Sequence, residues 1–138
     1  MVPADLQALN QRFSKQGFVL TSEATRPDGV VIRELDPTEL KERLDRGDPL
    51  VLVDVREPFE RTLVDLPEYG QRLIPVKSIP FAGRELDPEA ETVLYCRSGG
   101  RSAWATERLM EMGFRRVLNL RGGIMSWRAQ VDSSVKEY

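Results

Sequence analysis

The sequence contains no histidine and a single cysteine, Cys96, among its 138 residues. These two shortages exclude an internal disulfide, a Cys/His zinc site, a Ser/His/Asp triad and a Cys/His nucleophile pair. No metal site and no cofactor are expected. An excess of one charge is missing too: 20 Lys+Arg against 22 Asp+Glu leave a formal charge of −2. No long-range field therefore exists to hold nucleic acid or an anionic membrane. No run of about 18 apolar residues occurs, and Met1 to Gln11 lacks the basic start and apolar core of a secretory signal. The chain reads as soluble and cytoplasmic, with neither nucleic acid nor membrane as partner. A 41% hydrophobic content suffices for one core, and two full domains are not expected.

Residues 1–29 read as an N-terminal helix and extension, and residues 30–138 as one domain. Leu6, Leu9 and Phe13 give Ala4–Lys15 a weak amphipathic pattern, and Arg26-Pro27-Asp28-Gly29 is a turn that separates it from the domain. Val30-Val31-Ile32 is a short strand. Asp36-Pro37-Thr38-Glu39 then supplies a cap, a proline in the first helical position and a carboxylate three residues on, so a helix is expected from Pro37 to about Arg46. Leu50–Val55 is an almost unbroken aliphatic run, which suits a strand covered on both faces. Glu57–Leu63 is a short helix, and Leu66–Pro80, punctuated by prolines, admits only a brief strand near Leu73-Ile74. Glu91–Tyr95 and Val117–Leu120 are further strands. Ser102–Met112 and a segment after Gly122-Gly123 carry helical periodicity. This alternation implies an α/β domain, a mainly parallel twisted sheet of about five strands with helices on both faces.

In such sheets ligands bind beyond the carboxyl ends of the strands, where Cys96 falls. The segment Tyr95-Cys96-Arg97-Ser98-Gly99-Gly100-Arg101-Ser102 is strand, short loop, helix. Gly99 and Gly100 free the backbone to turn successive N–H groups toward one point, an anion-binding nest centred on the Cys96 sulfur. The positive end of the following helix aims at the same spot, and Arg101 and Arg97 add full charges. A helix N-terminus with nearby cations favours the nucleophilic thiolate form of a cysteine. Asp54 and Arg56, at an earlier strand end, are read as supporting residues that orient the loop or form a structural salt link. Trp104 and Trp127 are read as core, and Arg115, Arg116 and Arg121 as solvated surface charge.

On Cys96, Gly99 and Arg101, the sequence resembles the rhodanese family of sulfurtransferases. Val53-Asp54-Val55-Arg56-Glu57 and Gly122-Gly123-Ile124-Met125-Ser126-Trp127 are similar to the same family, and the likeness spans about Ile32 to Val131. The loop, with Leu73-Ile74-Pro75 and Ser78-Ile79-Pro80, looks most like the C-terminal rhodanese domains of adenylyltransferases that activate sulfur carriers. Many family members carry Gly-His-Ile-Pro-Gly-Ala after the first motif, where this chain reads Glu68-Tyr69-Gly70-Gln71-Arg72-Leu73-Ile74-Pro75. The resemblance implies a sulfur relay with Cys96 and Arg101 as catalytic residues, and Arg97, Ser98, Gly99 and Gly100 as the substrate-binding cradle. Cys96 takes the outer sulfur of thiosulfate or a protein persulfide, and a thiol, cyanide or sulfur-carrier protein accepts it.

Two other readings compete. Cysteine-dependent phosphatases and arsenate reductases resemble a pattern with five residues between cysteine and arginine, whereas four intervene here. That shorter loop suits one sulfur better than a tetrahedral phosphate. A noncatalytic interaction module of the same fold has no need of the cysteine, so the intact loop favours activity.

Overall fold

The computed structural model describes residues 22–138. The element order is β1 (Ser22–Thr25), β2 (Val31–Leu35), α1 (Pro37–Asp45), β3 (Val51–Asp54), α2 (Pro58–Leu63), β4 (Arg72–Leu73), α3 (Ile79–Ala82), β5 (Thr92–Tyr95), α4 (Gly100–Glu111), β6 (Val117–Leu120) and α5 (Gly123–Gln130), with single 3-10 turns at Val76–Ser78 and Gly83–Glu85 flanking α3. The six strands form one sheet in the order β1-β2-β6-β5-β3-β4. Only β1, paired with β2, is antiparallel. The expected helix over Ala4–Lys15 lies outside the described residues.

Alternation along the strands sorts the core into two layers. Leu52, Val93, Tyr95, Leu118 and Leu120 face one side, where they pack with Leu40 of α1 and with Ile124 and Trp127 of α5. Val53, Val55, Leu94, Cys96 and Val117 face the other, against Ile79 of α3 and Ala105 and Leu109 of α4. Cys96 therefore continues the α4-facing row of β5. The aliphatic runs of β3 and β5 are covered on both sides, as central parallel strands require.

The sheet has a sixth strand because Ser22–Thr25, read from the sequence as part of the N-terminal extension, pairs with β2 as an edge strand. Its sequence Ser-Glu-Ala-Thr carries no large apolar residue, so it has no periodic signal, and a polar edge strand also discourages pairing with other chains. The Arg26–Gly29 turn does form: Gly29 N–H donates to Arg26 O (2.9 Å) and Val30 N–H to the Asp28 carboxylate (3.0 Å). Helix α3 was hidden by Pro75 and Pro80, yet Pro80 lies in its first turn, where a missing N–H costs no hydrogen bond. At α1, Asp36 takes the cap position, but its side chain makes no cap bond and accepts from Arg121 instead (2.9 Å). No helix among the described residues is long and apolar enough to cross a membrane.

Candidate active site

Beyond the end of β5 the chain turns sharply and enters α4 at Gly100, two residues earlier than the periodicity predicts. Gly99 is the pivot. Its φ of +102° lies in the left-handed region, and a Cβ there would approach Gly122 N to 3.2 Å. That conformation aims the Gly99 N–H at Cys96 Sγ, 3.1 Å away. Gly100 contributes differently from the expected paired-glycine nest: it starts the helix without positive φ, and a Cβ on it would meet open space. The N–H groups of Gly100, Arg101 and Ser102 belong to the first turn of α4 and have no acceptor within the helix. Ser98 and Gly100 form the exposed crown of the loop, while Gly99 lies buried beneath it. Cys96 itself is only 1% exposed, so the sulfur sits under this crown and not at an open mouth.

A second glycine turn supports the loop from behind. Gly122 and Gly123, at the start of α5, both have positive φ, and a Cβ on Gly123 would lie 2.4 Å from Cys96 O and 2.6 Å from Arg97 O. This close approach lets Ile124 N–H donate to Cys96 O and Met125 N–H to Arg97 O, each at 3.0 Å. The Gly-Gly pair thus exists to bring the N-terminus of α5 against the carbonyls of the loop.

The fork of Arg101 is taken up by Glu60. Nη1 and Nη2 donate to the two oxygens of Glu60 at 2.7 and 2.9 Å, tying α4 to α2. Glu60 Oε2 also accepts the Glu57 N–H (2.9 Å), and Oε1 accepts the Tyr138 hydroxyl (3.0 Å). Arg101, foremost, with Glu57 N–H and Tyr138 holds the Glu60 carboxyl well down, at about 2, against the cost of burial. Arg97 points to the same tyrosine: its Nε donates to Tyr138 O, and its guanidinium lies 5.3 Å from the Tyr138 ring centroid.

Asp54 and Arg56 pair with each other, completely buried. Nε and Nη2 of Arg56 donate to the two Asp54 oxygens at 3.0 and 2.9 Å, and Nη1 reaches the Tyr138 hydroxyl at 3.0 Å. Neither side chain is bonded to Cys96; they connect to the loop through Tyr138, Glu60 and Arg101, and through Asp65, which also accepts the Tyr95 hydroxyl. Trp127 is core, but Trp104 is not: it is 36% exposed, with the Arg108 guanidinium 5.0 Å from its ring centroid. Arg121 is likewise more than solvated charge, pairing with Glu34 and Asp36.

Three residues that lead away from the sulfur escaped the sequence reading. Ser102 Oγ lies 3.4 Å from Cys96 Sγ and contacts Asn119 Oδ1, and Asn119 Nδ2 donates to Glu34 Oε2 at 2.8 Å. The parallel register places Glu34 directly opposite Asn119. The signal was present: an amide in the otherwise aliphatic Val117-Leu118-Asn119-Leu120 is a buried polar group in need of partners.

The profile of the rhodanese-like domain family matches residues 36–130. The chain is 40% identical over 97 residues to a sulfurtransferase of Allochromatium vinosum, covering 70% of this chain and 89% of that protein. It is 37% identical over 125 residues to the probable adenylyltransferase/sulfurtransferase MoeZ of Mycobacterium tuberculosis, covering 88% of this chain but 30% of that longer protein. A rhodanese-like domain protein from Staphylococcus aureus has a similar crystal structure, with a TM-score of 0.64 and 28% identity, covering 76% of this chain and 97% of that one.

Two outcomes test this geometry. Gly123→Ala forces a Cβ into two backbone carbonyls at positive φ and is expected to cost on the order of 3 kcal/mol, whereas Gly100→Ala stays within about 0.5 kcal/mol; urea midpoints of the two variants measure the contrast. Glu60 is held below its ordinary 4.5, so its stabilising effect is complete above that pH and is lost as pH falls toward 2. Between those values the wild type should lose roughly 1 to 2 kcal/mol more than Glu60→Gln, allowing for the half-exposed Arg101. Urea unfolding at a series of pH values reads the difference. That window lies below the titration of Glu39, which burial pushes up to about 7.

Proposed function

The chain belongs to the rhodanese-like domain family, and on that premise we propose that it is a sulfurtransferase carrying sulfane sulfur as a persulfide on Cys96. The Cys96 thiolate attacks the outer sulfur of thiosulfate, the sulfur–sulfur bond of the donor breaks, and sulfite leaves with the electron pair. A nucleophile, cyanide or a thiol, then attacks the terminal sulfur, and Cys96 departs as thiolate. The two halves balance without an added oxidant or reductant. A protein persulfide offers the same attackable atom as thiosulfate, and a sulfur-carrier protein is a further acceptor of the same chemistry.

The observation that carries this reading is the Gly99 N–H held 3.1 Å from Cys96 Sγ at the positive end of α4. A fixed donor and an oriented helix end stabilise negative charge on sulfur both before attack and after discharge. Gly99, with the first-turn amides of Gly100 and its neighbours, forms the cradle, and Ser98 stands at its exposed rim. Arg101 serves by locking the start of α4 to Glu60 and by lending positive potential to the loop. Arg97 adds cationic charge beside the cradle: its Nε is held by the Tyr138 carbonyl and its guanidinium lies over the Tyr138 ring. Asp54 and Arg56 support from behind.

The same arrangement disfavours phosphoryl chemistry. An arginine that binds phosphate presents its fork to the equatorial oxygens, and the fork of Arg101 is already spent on Glu60. The burial of Cys96 favours a donor that presents its sulfur at a slender tip.

Intact-mass spectrometry tests the proposal. Incubation with thiosulfate should add about 32 Da, cyanide should remove it, and Cys96→Ala should show no gain. Failure of the wild type to gain that mass from thiosulfate and from a low-molecular-weight persulfide alike overturns it.

A further inference from the structure

Ser102 Oγ has one hydrogen and three acceptors within reach: Asn119 Oδ1 at 2.5 Å, Gly99 O at 3.3 Å and Cys96 Sγ at 3.4 Å. Which acceptor it serves is decided by Asn119. The amide of Asn119 is 1% exposed, in an aliphatic strand, and such a group is costly unless its bonds are made. Nδ2 donates to Glu34 Oε2 at 2.8 Å and to Gly99 O at 3.2 Å. The opposite orientation would set Oδ1 against a carboxylate and a carbonyl, neither of which donates, so the orientation is fixed chemically. Oδ1 must then face Ser102, and only the Ser102 hydrogen can join the two oxygens. Glu34 is itself held by Arg121 Nε at 3.3 Å.

With that hydrogen resting on Asn119, the Ser102 oxygen turns a lone pair toward Cys96. This suits a thiol, whose S–H can donate to it, and opposes a sulfur that carries charge. Rotation of one hydroxyl reverses the sign of the contact: the same oxygen, swung about its Cβ–Oγ bond, donates to an anionic sulfur.

We infer that Ser102 is a further catalytic residue, a hydroxyl that rests its hydrogen on Asn119 and donates it to Cys96 Sγ whenever that sulfur is negative, with Asn119 and Glu34 as positioning residues that act through it. The inference deepens the persulfide reading and rests on it for its role in turnover. When an acceptor removes the terminal sulfur, the bond to Sγ breaks, the electron pair stays on Sγ, and the Ser102 hydroxyl joins the Gly99 N–H in receiving that charge. No proton leaves the protein in this step.

The test is a double-mutant cycle of Ser102→Ala and Asn119→Ala, with folding of each variant checked by urea midpoint. Ser102→Ala should slow cyanide discharge of the preformed persulfide about tenfold, the size expected for one lost hydrogen bond to a charged atom, while the half-saturating cyanide concentration stays within about twofold. Iodoacetamide alkylation of Cys96 at one fixed pH reads the contact without any sulfur donor, so it separates failure of this inference from failure of the sulfurtransferase reading. Asn119→Ala should change the alkylation rate about threefold or more when Ser102 is present and less than about 1.5-fold in the Ser102→Ala background. An equal effect in both backgrounds, or none in either, overturns the inference. Should Asn119→Ala fail to fold, Asn119→Ser carries the same comparison.

Discussion

A guanidinium withdrawn from water has five N–H donors to satisfy, and Arg56 satisfies all of them inside the protein. Nε and one hydrogen of Nη2 go to Asp54, the second hydrogen of Nη2 to Asp65 (3.2 Å), and Nη1 to Val64 O (2.9 Å) and the Tyr138 hydroxyl. Replacing such a pair by hydrocarbon of equal volume is often neutral, but removing one partner strands a buried charge at about 3–5 kcal/mol. Its value is therefore geometric. The end of β3, the exit of α2 and Tyr138 are each required to stand where Arg56 can reach them. Tyr138 passes the constraint to Glu60, and Glu60 passes it to Arg101. The first turn of α4, with the Gly99 amide just before it, is thus indexed to a cation that never touches the loop.

The parts of this arrangement that a sequence encodes locally were legible from it. Proline at the first position of α1, the aliphatic runs of β3 and β5, and the Cys-x-x-Gly-Gly-Arg turn each declare themselves within a few residues, because capping, two-sided burial and backbone freedom are local demands. Polar edge strand β1 declared nothing, since it is held by ladder hydrogen bonds that any residue can supply. The partner of Arg101 was not legible either: only the fold reveals that Glu60, 41 residues away, claims both terminal nitrogens. Ser102 and Asn119 fell between these cases. Asn119 was visible as an anomaly in β6, but its partner is chosen by the β2–β6 register and by the seating of α4, neither of which has a sequence signature.

The cysteine loop is consequently tied to two polar arms that both end in a carboxylate. Glu60 closes one and Glu34 the other, and each is matched by an arginine, Arg101 and Arg121. A bare carboxylate some 4 Å from a thiolate would oppose it by about 4 kcal/mol at the effective dielectric of a protein surface. Neither arm commits that error: Arg101 pairs with Glu60 on one side, and a neutral amide and a hydroxyl intervene on the other. An amide is well suited to the second position because its two ends differ. The donor end answers the negative charge of Glu34, and the acceptor end passes on a direction for one hydrogen without passing on the charge. An aspartate at 119 would face Glu34 with a second carboxylate and lose that asymmetry. What reaches Cys96 from the Glu34 side is therefore the orientation of a single O–H bond, which can change sign as the charge on sulfur changes.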